Sequence, residues 1–133
     1  MCGVAGLIDR RGGQEELFLA NANAMANSLV HRGPDESGVW ADGSAGIALS
    51  HRRLSIIDVS ENGHQPMVSG NRRFVIVYNG EIYNALEIKA ELAATGVTCK
   101  GHSDTEVIIE AWAAWGGTRT AKRLNGMFAF AIW

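Results

Sequence analysis

Met1-Cys2-Gly3-Val4-Ala5-Gly6-Leu7-Ile8 opens the chain, and the reading of its second residue decides the fold. Removal of Met1 would leave a cysteine whose thiol and free α-amine sit on one residue. An α-amine titrates at about 7.7–8.0, so it can act as a base near neutral pH. The thiolate is the nucleophilic form of cysteine. One residue would then hold both parts of a nucleophile–base pair. The competing reading of the dipeptide alone is an inert, small buried side chain. Three later stretches favour the nucleophile.

Working outward, Cys2 to Ile8 reads as a short, largely buried strand turned by Asp9 to Gly13. Gln14 to Val30 reads as a helix, with Phe18, Ala22, Met25 and Leu29 on one apolar face. His31-Arg32-Gly33-Pro34-Asp35 ends it, because proline cannot continue a helix. Gly38–Trp40 and Ala45–Ser50 predict two strands across an Ala41–Ser44 turn. The polar stretch from Ser60 to Pro66 predicts an irregular loop. Phe74 to Tyr78 is β-branched and aromatic, a strong strand signal, and runs into Asn79-Gly80-Glu81. Ala85 to Ala94 suits a helix capped by Asn84, and Val97–Cys99 a short strand. Ser103-Asp104-Thr105-Glu106 has the spacing of a capping box. It opens a helix with Ile108, Ala111, Trp112 and Trp115 on its apolar face, stopped by Gly116-Gly117. A short helix is expected over Thr120 to Leu124. Met127 to Trp133 reads as a strand buried on both faces.

The 133 residues fit one domain, 1–133, and groups of strands with helices between them predict an α+β fold of stacked layers. A composition 47% hydrophobic and 20% charged is that of a globular domain. A formal net charge of −2 excludes the basic surplus expected of a nucleic-acid or anionic-membrane partner. No apolar run is long enough to span a bilayer, and Asp9-Arg10-Arg11 comes too early for a signal sequence. Two cysteines, Cys2 and Cys99, make no disulfide framework, so a cytoplasmic, reduced protein is expected. His31, His51, His64 and His102 form no metal-ligand spacing, and no metal site is expected.

Hydrolysis of a free amino acid's side-chain amide needs a nucleophile, a base, oxyanion donors, a cation for the α-carboxylate and an anion for the α-ammonium. Cys2 offers the first two. Asn79 and Gly80 offer a side-chain amide and a backbone N–H to an oxyanion, although Asn-Gly between strand-like runs also reads as a hairpin turn. Arg53 offers a bidentate grip on a carboxylate, while neighbouring Arg52 reads as a solvated surface arginine. Asp104, in the first turn of a helix, offers an anion, or serves only to stabilise that helix start.

These motifs, in this order, carry a resemblance that spans essentially the whole chain. Met-Cys-Gly-Val-Ala-Gly, His31-Arg-Gly-Pro-Asp35, Arg53-Leu-Ser-Ile-Ile-Asp58, Tyr78-Asn-Gly-Glu-Ile-Tyr-Asn84, Ser103-Asp-Thr-Glu106 and Leu124-Asn-Gly-Met-Phe-Ala-Phe130 together resemble the glutaminase domain of glutamine-hydrolysing asparagine synthetases, a class II glutamine amidotransferase. The resemblance implies an N-terminal-nucleophile (Ntn) αββα four-layer sandwich. It implies attack by Cys2 on the side-chain carbonyl of L-glutamine, with Asn79 and Gly80 in the oxyanion hole. It places Arg53 on the α-carboxylate with the segment Leu54, Ser55, Ile56 and Ile57 beside it. Glu81 and Asp104 hold the amino-acid end, and His31 to Asp35 supports the site. The family's glutaminase domain continues with further strands, so the resemblance implies a C-terminally truncated domain. It implies an ATP-dependent synthetase domain as partner, in a longer chain or a separate subunit. ATP and magnesium are expected only there, and no cofactor in this chain. Apolar surface left by missing strands predicts self-association, as in a homodimer. Relatives acting on sugars or secondary metabolites are the alternative enzymes. A glutamine-binding or partner-dependent fragment without turnover is the alternative of another class.

Overall fold

A computed structural model describes residues 2–54 and 63–133. The elements run β1 (Gly3–Ile8), α1 (Glu15–Ser28), β2 (Glu36–Asp42), β3 (Ile47–Arg53), β4 (Met67–Val68), β5 (Val75–Ile82), α2 (Ala85–Ala94), α3 (Asp104–Trp115), α4 (Gly117–Arg123) and β6 (Gly126–Ile132). They divide between two compact units, Met1–Ile56 and Ile57–Trp133.

In the first unit the strand order is β1-β3-β2, all antiparallel. The β2–β3 turn is built by Asp42, whose carboxylate accepts from the Ser44 hydroxyl at 2.6 Å and the Ala45 N–H at 2.9 Å. These bonds hold the Asp42 carboxyl below its ordinary range, the Ser44 hydroxyl most of all. Side chains alternate along a strand. Ala48 therefore faces α1, where it packs with Phe18 and Ala22 beneath Leu7, Met25, Val39 and Ala41. Ile47, Leu49, His51 and Arg53 lie on the opposite face, and all four are buried. The predicted face of α1 is the observed one. β1 is less covered than its sequence suggested: only Gly3 among its six residues is buried.

In the second unit the strand order is β4-β5-β6. Ile76, Tyr78 and Ile82 of β5 pack on Ile88 and Leu92 of α2 and on Val107, Ile108, Ile109 and Ala111 of α3. The helices α2 and α3 fall where periodicity put them. Helix α4 starts at Gly117, earlier than read, directly behind the Gly116 that ends α3. Val97–Cys99 forms no strand. After α2 the chain turns at Gly96, and the Val97 N–H donates back to the Leu92 carbonyl at 3.0 Å, which fixes Val97 to the helix end. Asn84 makes no side-chain cap. Its amide instead donates to the Arg123 carbonyl at 2.8 Å and accepts from the Asn125 N–H at 3.1 Å, joining the start of α2 to the start of β6.

β6 departs from expectation most. Its ladder with β5 runs from Gly126 to Ile132, and Trp133 still exchanges backbone bonds with Val75. Yet Met127 is 73% exposed and Phe128 37%, so the strand is not buried on both faces. Among the described residues β6 has only β5 beside it, and only its alternate members Phe130 and Ile132 reach the core under α3.

Polar groups join α3 to β5. The Asp104 carboxylate accepts from the Ile82 N–H at 2.8 Å and from the Tyr78 hydroxyl at 3.3 Å. Buried Gln65 accepts from the Tyr78 N–H at 2.6 Å and donates to Thr105 Oγ1 at 3.0 Å. Burial first, and the Asp104 charge second, push the Tyr78 phenol well above its ordinary 10.0.

Ile108 has no exposed surface, so Ile108→Ala should cost about 2–5 kcal/mol in urea unfolding. Leu86→Ala, at a position 82% exposed, should stay within about 0.5 kcal/mol. The Tyr78 phenol is held neutral in the folded state, so above pH 10 the unfolded state loses its proton first. Stability from this group is complete below that pH and falls as pH rises beyond it. Tyr78→Phe should cost ~1 kcal/mol at pH 7 and flatten the alkaline fall, read as unfolding midpoints from pH 8 to 11.

Candidate active site

Cys2 lies just before β1. The register pairs Gly3 with Arg52, so one step further Cys2 is level with Arg53. Across β3 from it, Arg53 pairs directly with Glu36 of β2. Cys2, Arg53 and Glu36 thus form a row across the three strands, on the face opposite α1. The Cys2 thiol is held by Leu54, 52 positions away. The Leu54 N–H donates to Sγ at 3.4 Å, and the thiol points back at the Leu54 carbonyl at 3.8 Å. Leu54 acts here through its backbone.

Arg53 is 8% exposed. Its Nη1 donates to a Glu36 carboxylate oxygen at 2.9 Å. The loop from His31 to Asp35 holds the strand that carries it. A Cβ on Gly33 would stand 2.4 Å from the Arg52 carbonyl oxygen and 2.7 Å from the Arg53 carbonyl carbon, so only glycine fits against β3 there. The Asp35 N–H donates to the Arg53 carbonyl at 3.1 Å, and Arg52 Nε donates to the Gly33 carbonyl at 3.1 Å. Arg52 is therefore half-buried and tied to this loop, not a solvated surface residue as read from sequence. Ser55, Ile56 and Ile57 lie outside the described residues.

Asn79, Gly80 and Glu81 all lie within β5. They pair with Ala129, Phe128 and Met127, so the hairpin reading of Asn79-Gly80 is wrong: the strand runs straight through. At Gly80, with φ 155°, a Cβ would stand 2.4 Å from the Met127 carbonyl oxygen and 2.5 Å from Phe128 Cα. Close contact with β6 excludes any side chain. The pleat sets Asn79 and Glu81 on one face of the strand and Tyr78 and Ile82 on the face toward α3. Asp104 reaches the strand end from α3 through the Ile82 N–H. It does more than stabilise a helix start, since Ser103 supplies the cap by accepting from the Glu106 N–H at 3.3 Å. The Glu106 carboxylate binds the N–H groups of Lys100 and Gly101 at 2.7 Å each, so only half of the predicted capping box forms.

Cys2, Arg53 and Leu54 are thus brought together in the first unit, and Asn79, Gly80, Glu81 and Asp104 in the second. Sequence reading missed Glu36, Gln65 and Tyr78. Tyr78 had a signal, a polar-tipped aromatic directly before Asn-Gly. Glu36 and Gln65 had none, because their partners are distant in the chain. Among the described residues no group of three or more histidine, cysteine or acidic side chains is placed to hold a metal ion, and no helix is long and apolar enough to cross a membrane.

The chain is 42% identical over 138 aligned residues to asparagine synthetase [glutamine-hydrolyzing] 1 of Bacillus subtilis, covering 100% of this chain and 21% of that one. It is 37% identical to asparagine synthetase [glutamine-hydrolyzing] 3 of the same organism, again over 100% of this chain and 21% of the relative. The chain therefore spans about a fifth of the length of these relatives. Among solved structures, glutamine phosphoribosylpyrophosphate amidotransferase from B. subtilis superposes with a TM-score of 0.76 at 22% identity, covering 98% of this chain and 34% of that one. That likeness gives the fold as the N-terminal-nucleophile class expected from the sequence. Residues 1–133 match the family model described as a glutamine amidotransferase domain, and the chain belongs to that family.

Proposed function

We propose that this domain hydrolyses L-glutamine to glutamate and ammonia, with Cys2 as nucleophile once Met1 is removed. The observation that carries the reading is the placement of Cys2 just before β1. There its thiol is held by the Leu54 backbone and is level with Arg53. The freed α-amine takes the thiol proton, and Sγ attacks the side-chain carbonyl carbon. The Asn79 side chain and the Gly80 N–H receive the oxyanion; one such donor is worth about 2.7–4 kcal/mol of barrier. The C–N bond then breaks. The proton held on the amine passes to nitrogen, and ammonia leaves a γ-glutamyl thioester. Water, activated by the same amine, releases glutamate and restores the thiol. Arg53 takes the α-carboxylate with Leu54, Ser55, Ile56 and Ile57 beside it, and Glu81 and Asp104 take the α-ammonium. Residues 1–133 serve as one domain, and the reaction uses no metal or cofactor of its own.

The relatives named above are about five times longer than this chain. In a longer protein or with a separate subunit, the ammonia would serve ATP-dependent amidation of aspartate or a related acceptor. ATP and magnesium belong to that second step. A reduced thiol at the centre of the reaction fits a cytoplasmic setting.

Intact mass tests the reading, before and after incubation with a diazo-ketone analogue of glutamine. Loss of Met1 and a single adduct on Cys2 are expected, and Cys2→Ala should take no adduct and release no glutamate. Burial holds the Cys99 thiol above its ordinary value, so Cys99 should stay unmodified at pH 7. Glutamate release by Cys2→Ala would refute the mechanism.

A further inference from the structure

The Asp104 carboxylate is used on one side only. Both donors that reach it, the Ile82 N–H at 2.8 Å and the Tyr78 hydroxyl at 3.3 Å, bind the same oxygen, Oδ2. Among the described residues no donor or cation meets the other oxygen, Oδ1, and the side chain is half-buried. Tyr78 itself is buried, with its ring packed in the core beneath α3. Gln65 holds its backbone N–H from the loop before β4. The place of the hydroxyl is therefore set by packing and by a second bond to the same residue.

We infer that Tyr78 is a positioning residue for Asp104: together with the Ile82 N–H, its hydroxyl holds Oδ2 and so turns Oδ1 to the α-ammonium of the amino-acid substrate. This rests on the reading of Asp104 given above. The last torsion of an aspartate is broad, so a carboxylate held by one bond pivots about it. Two donors on one oxygen, from residues four apart on β5, fix its plane. The phenol stays a donor at working pH, because burial first and the Asp104 charge second hold its proton in place. The Glu81 charge acts on the same phenol, so both acidic side chains assigned to the ammonium border it. The opposite view makes the bond a mere tie between β5 and α3. The choice of side chain argues against that. Both donors need one acceptor oxygen, which the neutral amide of an asparagine would supply as well. The charge is surplus to the tie, and Ser103 already caps the helix.

Calorimetric titration of the full chain in a Cys2→Ala background tests this without turnover. The ligands are L-glutamine and 4-carbamoylbutanoate, which keeps the carboxylate and the amide but lacks the amine. Tyr78→Phe keeps the packed ring and removes only the donor. It should weaken L-glutamine about fivefold and 4-carbamoylbutanoate less than about twofold. Asp104→Asn should cut the preference for L-glutamine about tenfold. In that background Tyr78→Phe should add less than about twofold, because the charge it acts through is gone. Asp104→Glu, which keeps the charge but moves it off the phenol, should also weaken L-glutamine alone, and it decides the matter should Tyr78→Phe not fold. Equal weakening of both ligands by Tyr78→Phe would mean a structural role only and would overturn the inference. So would unchanged or tighter binding of L-glutamine, or a loss that persists in the Asp104→Asn background. Asp104→Asn separates the two readings. If it leaves the preference for L-glutamine intact, the ammonium role of Asp104 fails, and the Tyr78 inference with it. If it cuts that preference while Tyr78→Phe does not, only the Tyr78 inference fails.

Discussion

The antiparallel register of β1 on β3 decides where Cys2 stands and what surrounds it. Neighbours in sequence give this residue nothing but glycine and aliphatic side chains. The ladder from Gly3–Arg52 to Ile8–Ile47 carries it to the end of the sheet, level with an arginine and beside a backbone N–H. A slip of one residue would turn Cys2 to the α1 face, because strand side chains alternate. The register is fixed on that other face. Ala48 packs with Phe18 and Ala22 beneath Leu7, while Gly3 lies against Leu29, where its Cβ would come within 3.0 Å. Core packing on one side of the sheet thus sets where Cys2 and Arg53 stand on the other.

The same coupling explains why the loop after α1 is rich in special residues. Helix α1 has already ended at Ser28, and Gly33 lies flat on the backbone of Arg52 and Arg53. Asp35 adds an N–H to the Arg53 carbonyl, and Glu36 follows at once as the first residue of β2. Five consecutive residues after His31 therefore include three that act on one short piece of β3. The second unit repeats the principle with other means. Gly80 lets β5 approach β6 without a side chain, while Asp104, Tyr78 and Gln65 bind the strand to the first turn of α3. In both units backbone contact that only glycine permits comes together with polar bonds to the same strand.

Much of this was legible in the sequence, for identifiable reasons. Helices α1, α2 and α3 each bury one stripe, and periodicity reports that directly. Phe74 to Tyr78 reads as a strand because β-branched and aromatic residues suit a pleated, buried surface. The candidate site residues stand out in the sequence because each sits in a distinctive local pattern, such as Cys2 behind the initiator methionine or Asp104 behind Ser103. The failures share one cause. Asn79-Gly80 looks like a turn to any local reading, and only pairing with Phe128 and Ala129, far along the chain, keeps it extended. Asn84 has the right type for a cap, but the Arg123 carbonyl and Asn125 N–H claim its amide. β6 looks buried on both faces from composition. Its exposure depends on what lies beside it, which no window of seven residues contains.

The Glu36–Arg53 pair belongs with these non-local features. A cross-strand ion pair on an open surface contributes little, since water screens it. Here one partner is buried and the other is half open, so the exposed charge is solvated while the buried one is held. Such an asymmetric pair costs less than two fully buried charges, because only one ion leaves water. It ties the start of β2 to the end of β3. The constraint originates in the hairpin: Asp42 sets the turn, the turn sets the pairing of β2 with β3, and that pairing puts residue 36 opposite residue 53.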